Sequence, residues 1–331
     1  MNATSQSQAA TPPRAATGPA PSWRRLLAGN EIILVLIVIS VLASLASPTF
    51  FTEVNIRNIL NQASVLGILA CAQFLVVLIG GFDLSVAAVM ALASVIFAVL
   101  APTSLPLAAL ASLVAGTALG TLSGIAVTFG RVPSLIATLG VMGIARGFAF
   151  VVAEKSVAVP RDLLLPFKST LWIFSVPVLV WFVIAVMLAW VLANTRFGRN
   201  LYAIGGNERA ARLAAVPVRQ RQVTVYTLSG FLSALAGLAL VVRTSSGVPQ
   251  IGEGWELDAI AAIVIGGARL FGGEGNILRA MIGVIIYQMI ANIMNLVSLD
   301  PFYQDIVKAT VIVVVVGVSV LRDRRAQGGR P

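Results

Sequence analysis

The chain has 331 residues, of which 58% are hydrophobic and 11% charged, and a mean hydropathy of +0.94. That is far too apolar for a soluble domain of this length and marks a polytopic, all-α membrane protein. Histidine is absent and Cys71 is the only cysteine, excluding imidazole catalysis, disulfides and a thiolate zinc site. The net charge of +10 comes from arginines placed between apolar runs, a topology signal, with no basic face for nucleic acid.

In chain order, residues 1–22 are rich in Ala, Pro, Ser, Thr and Gln without apolar periodicity, and read as a disordered cytoplasmic tail. The first apolar run, Ile32 to Ala46, follows Arg24 and Arg25. Its Ser44-Leu45-Ala46 end imitates a cleavage site, but the long preceding tail and the many later spans favour an uncleaved first helix. A bilayer core of about 30 Å needs about 20 helical residues. Runs near that length lie at 31–47, 59–80, 84–101, 105–130, 134–153, 171–193, 224–243, 258–272, 277–297 and 306–321, about ten spans in all. The eighth is short and Gly-rich, so the eighth and ninth are candidates for a broken or re-entrant pair. In the fourth, Ser112, Gly116, Gly120 and Gly124 recur every fourth residue, the signature of a close helix contact.

An even number of spans puts both ends on one side. On this threading, one set of segments holds Arg14, Arg24, Arg25, Arg131, Arg196, Arg199, Arg209, Arg212, Arg219, Arg221, Arg269, Arg279, Arg322, Arg324, Arg325 and Arg330. The opposite set holds most of the acids, among them Glu53, Glu154, Asp162, Glu253, Glu256, Asp258, Asp300 and Asp305. Both termini are therefore predicted to be cytoplasmic.

Two charges interrupt apolar sequence. Asp83, in Gly-Gly-Phe-Asp-Leu-Ser, falls at the cytoplasmic boundary, where it either caps the next helix or shapes a gate, with Gly80, Gly81 and Ser85. Arg146 lies about ten ångströms below the outer end of its span and either snorkels outward or serves a partner or pathway inside the bundle. Gln62, Gln73, Thr117, Gln288, Asn292 and Asn295 are candidates to hydrogen-bond solute hydroxyls, or else to bridge helices.

The loop 194–223 carries the most specific local signal. Gly205 and Gly206 break the chain, Asn207 is placed to cap a helix with Glu208 in its first turn, and Pro217 stops it. The result is a stub helix over 208–215, small-faced through Ala210, Ala211, Ala214 and Ala215, that either docks into a cleft on a soluble partner or is a solvated basic loop.

"IGGFDLSVAAVMALAS", "PSLIATLGVMGIARG", "NTRFGRNLYAIGGNERAARLAAVPV" and "ELDAIAAIVIGGARLFGGEGN", in series from about Asn30 to Arg322, closely resemble the permease subunits of ribose-type, simple-sugar ABC importers. The resemblance implies a type II ABC importer-like permease domain over 23–322, followed by a short cytoplasmic tail at 323–331. It implies a second permease subunit, cytoplasmic ATPase subunits that bind ATP and Mg, a periplasmic sugar-binding protein, and no cofactor in this chain. By matching positions, 194–223 becomes the coupling loop: Arg196, Gly198 and Arg199 lead into Asn207, Glu208, Ala210, Ala211, Arg212 and Leu213, which meet the ATPase. Arg146 and Gly147 match the family's Arg-Gly pair. Phe82, Ala87 and Pro217 depart from its usual residues.

No G-x-x-x-x-G-K-[ST] loop is present, so energy comes from a partner or from an ion gradient. The rival reading, an ion-coupled secondary transporter of a small uncharged solute, has only Asp83 as a coupling acid. A membrane enzyme lacks converging titratable groups. Scarce buried charge favours an uncharged polyhydroxy solute such as a pentose or hexose.

Overall fold

The computed structural model describes residues 31–328. The predicted tail at 1–22, with Arg14, and also Arg24, Arg25 and Arg330, lie outside the described residues. The helices are α1 (Glu31–Ala46), α2 (Glu53–Leu78), α3 (Val86–Leu100), α4 (Leu105–Thr128), α5 (Ser134–Val152), α6 (Arg161–Leu164), α7 (Val176–Asn194), α8 (Arg196–Gly206), α9 (Glu208–Leu213), α10 (Val218–Thr244), α11 (Trp255–Ile265), α12 (Ile277–Leu296) and α13 (Pro301–Gly328). Two short antiparallel pairings join them, the long-range β1 (Val157–Ala158) with β4 (Ser246–Gly247) and the hairpin β2 (Thr170–Leu171) with β3 (Phe174–Ser175).

Each predicted span holds one helix. Among the described residues seven are long and apolar enough to cross a membrane, α2, α4, α5, α7, α10, α12 and α13, while α1 and α3 are shorter apolar helices. The eighth span is α11, only 11 residues long, and it ends at Gly266 before a loop containing Gly267, Gly272, Gly273 and Gly275, all at positive φ. Several boundaries differ from the sequence reading: α2 and α10 begin at Glu53 and Val218, ahead of the predicted 59 and 224, and α11 runs Trp255–Ile265 against the predicted 258–272. The sixth span starts at Val176 because Trp172, with φ 57°, turns the preceding residues into the β2–β3 hairpin. The last helix begins at Pro301 and continues to Gly328, past the predicted end at 321.

At the centre, α2 is buried on nearly all sides by α10, α12, α7 and α11. Two amide clasps hold it to α12: Asn55 and Asn292 exchange bonds of 3.0 and 2.8 Å, and Gln288 donates to Gln62 at 2.7 Å. Such interhelical bonds contribute about 0.6 kcal/mol each on average, and fix register as well. The fourth-span stripe is a packing contact: Ser112, Gly116, Gly120 and Gly124 are all buried. A Cβ on Gly120 would come within 2.8 Å of the Gly230 backbone, so α4 and α10 touch backbone to backbone.

The alternation of spans is kept in space. The loops after α5 and α10 pair as β1–β4 at one end, where Lys168 also donates to Ser245. The turn after α2, the start of α5, α8 and the loop after α11 meet at the other end, the one rich in arginine.

Candidate functional site

At the basic end α2 closes with a Schellman motif. Gly81 N–H donates to the Val76 carbonyl at 3.0 Å and Gly80 N–H to Val77 at 2.8 Å, with Gly80 at φ 79°, a conformation that suits glycine. The chain then runs through Phe82–Leu84 into α3. Two hydroxyls of α5 receive its backbone: Phe82 N–H donates to Ser134 Oγ at 3.3 Å and Leu84 N–H to Thr138 Oγ1 at 3.1 Å.

Asp83 is 1% exposed and fully engaged. Its Oδ1 accepts from the Ser85 N–H at 2.9 Å and the Ser85 hydroxyl at 2.6 Å, and its Oδ2 accepts from Ser229 Oγ on α10 at 2.7 Å. The carboxylate therefore sits two residues before the α3 N-cap as an Asx turn and stitches that turn to a distant helix. Tyr226, one turn before Ser229 on α10, packs on Gly81, where a Cβ would stand 2.6 Å from its Oη. Gly81, Asp83 and Ser85 are thus buried in one turn that begins at the exposed Gly80, and Ser134, Thr138, Tyr226 and Ser229 complete it from two other helices.

The stub helix forms over Glu208–Leu213, shorter than the predicted 208–215, and Gly205 and Gly206 do not break the chain but complete α8, leaving the break to Asn207 and the stop to Ala215 at φ 58°. Asn207 ends α8 and starts α9 in extended backbone, and its Oδ1 accepts from Ala210 N–H at 2.9 Å. α8 buries one stripe, Gly198, Leu201 and Ile204, while Arg196 and Arg199 stay exposed. Gly198 is required, since a Cβ there would clash with the Leu192 backbone. On α9, Glu208 pairs with Arg212 at 2.6 Å and accepts from Gln222 of α10. Ala210 is exposed but Ala211 is turned inward at 4% exposure, and Leu213 stands out at 86%. The outward apolar point is therefore Leu213, with Ala211 a packing residue.

The remaining predicted residues are separate from both features. Arg146 donates to the Pro249 and Ile251 carbonyls at 2.5 and 3.1 Å, holding the loop before α11 at the acidic end, with no contact to Asp83. Gln62 and Asn292 are spent in the α2–α12 clasps. Gln73 is fully buried and neither amide atom has a hydrogen-bond partner.

This arrangement, a bundle of membrane-length helices with a rigid capped stub at its basic end, is that of a transport permease. The chain belongs to the family described as the permease component of branched-chain amino acid transport systems, whose model matches residues 55–316. It is 40% identical over 301 residues to the ribose import permease of Haemophilus influenzae, covering 88% of this chain and 93% of that protein. It is likewise 40% identical to the ribose import permease of Escherichia coli K12, with 91% and 95% covered. The L-arabinose ABC transporter permease of Azospirillum brasilense is 32% identical, with 96% of each chain covered. No solved structure matches. The chain is a multi-pass permease subunit of the ABC importer type.

Proposed function

We propose that this permease imports a pentose, a hexose or a sugar-like solute, handed over by a periplasmic binding protein and driven by ATP hydrolysis on partner subunits. The observation that carries the reading is the stub helix α9: it is capped at Asn207, tied to α10 through Gln222, and presents Leu213 at 86% exposure among arginines. An exposed leucine on a rigid basic helix suits a cleft on a soluble ATPase. ATP and Mg belong to that partner, and this chain supplies the docking helix and the path. Two copies of the permease, each with one α9, match a pair of ATPase domains. The arginine-rich end faces the cytoplasm, with both chain termini there.

A sugar is favoured over the amino acid of the family's description by the relatives, which are named for ribose and L-arabinose. It is favoured also by Gln73, a fully buried uncharged amide of α2 with no hydrogen-bond partner, the amides of Gln62, Gln288 and Asn292 being taken up by the clasps. The two charges that interrupt apolar sequence, Asp83 and Arg146, are taken up by the protein's own groups. Within this account the Gly80–Ser85 turn is the cytoplasmic gate element.

The test of the docking assignment is Leu213→Asp. It is expected to leave the purified permease folded in detergent while removing co-purification with the ATPase and ATP-driven uptake. Full uptake by the variant would overturn the assignment.

A further inference from the structure

The loop between α11 and α12 plays no part in the account so far, yet it is wedged between the docking segment and the gate turn. Gly273 N–H donates to the Leu78 carbonyl at 3.0 Å, joining the loop to the last turn of α2. A Cβ on Gly272 would lie 2.7 Å from Gly80 N, and one on Gly273 would lie 2.7 Å from Gly206 Cα. A Cβ on Gly205 would run into both the Leu78 carbonyl and Gly273 N. Three backbones, the ends of α2 and α8 and this loop, are therefore in direct contact, with no side chain between them to yield. Inside the loop, Arg269 N–H donates to the Glu274 carbonyl at 3.1 Å and their side chains pair at 2.6 Å, so the loop is closed on itself.

One side chain of α8 is hydrogen-bonded across this junction. Tyr202, two turns into α8 and half-buried, donates its hydroxyl to the Gly275 carbonyl at 2.9 Å. The loop anchors Ala268 and Leu270 in the core, but the glycine contacts with α8 bury no apolar side chain of their own and resist compression more than separation. Tyr202 supplies that tensile link from α8.

We propose that Tyr202 is a positioning residue for transport: it clamps the α11–α12 loop to α8, so that α8, the loop and the α2 end move as one block and carry displacement of α9 to the Asp83 turn. This rests on the reading of α9 as the ATPase-docking helix. Gly80 is the block's far edge, one Schellman motif away from Asp83, so a shift of the block changes the geometry in which Asp83 meets Ser229.

The test is Tyr202→Phe, which removes the hydroxyl and keeps the ring. In a Cys71→Ala background, spin labels at Arg209 and Phe271, both exposed, report the distance between α9 and the loop in nanodiscs. The parent is expected to give a narrow distribution, and the Phe variant one at least twofold broader. With the ATPase and binding protein reconstituted, the Phe variant is expected to retain association and ATP hydrolysis while solute moved per ATP falls severalfold. An unchanged distribution together with unchanged solute per ATP would overturn the clamp. Loss of α9 docking is read separately: if Leu213→Asp still binds the ATPase, the docking assignment is the part that fails, whatever Tyr202→Phe does to the distance.

Discussion

Ser229→Ala tests the buried turn most cleanly. The change removes one hydroxyl that donates at 2.7 Å to a carboxylate 1% exposed, and leaves Asp83 its two bonds from Ser85. A bond to a charged group contributes about 1.5–3 kcal/mol, and interhelical bonds in membranes reach about 1.7. Because two donors remain, the expected loss is about 1.5 kcal/mol. In an Asp83→Asn background the same substitution removes a neutral bond, so its cost falls to about 0.5 kcal/mol. The cycle therefore has a coupling energy of about 1 kcal/mol between residues 146 positions apart. The assay is reversible unfolding by SDS titration in mixed micelles, followed by the fluorescence of the chain's tryptophans. Ser229→Ala costing under about 0.3 kcal/mol in both backgrounds would refute the reasoning, because a charge-assisted bond in this setting cannot be that weak.

Other outcomes follow from the same structure. Ala215 sits at φ 58° in the Schellman motif that ends α9, where Val216 N–H reaches the Ala211 carbonyl at 3.0 Å. Ala215→Gly is expected to stabilise the loop by about 0.5–1 kcal/mol, read as slower amide exchange of α9. Gly120→Ala forces the α4 and α10 backbones apart and is expected to cost about 1–3 kcal/mol, whereas Gly317→Ala meets nothing within 4 Å and is expected to be neutral by SDS titration. Asn292→Leu leaves Asn55 Oδ1 without its donor while Asn55 Nδ2 keeps the Phe50 carbonyl at 2.8 Å, and is expected to cost about 1–3 kcal/mol, with the Asn55→Leu, Asn292→Leu pair costing less than the sum of the two single changes.

What the sequence discloses is set by how far each signal reaches along the chain. Span positions are readable because apolar runs are local, and the start of α9 because Asn207 caps it, although Gly205 and Gly206 prove helical within α8. Asp83 stood out as a charge in apolar sequence. Its partner Ser229 did not, because a serine beside Gly230 in a small-residue helix looks like packing. The amide clasps were hidden for a different reason: Gln62 and Gln288 are 226 residues apart, and nothing local pairs them. Ala211 and Leu213 could not be told apart, since a helix of six residues is too short for periodicity to fix its inner face. The α11–α12 junction was least legible, because backbone contacts between glycines leave no side-chain pattern to read.

The central claim is tested by solute uptake into vesicles reconstituted with this permease, with and without the ATPase and sugar-binding protein, and with ATP supplied on the ATPase side. The account predicts uptake of a pentose or hexose that requires both partners and hydrolysable ATP. Uptake by the permease alone, driven by an ion gradient, would contradict it and make Asp83 a coupling carboxylate.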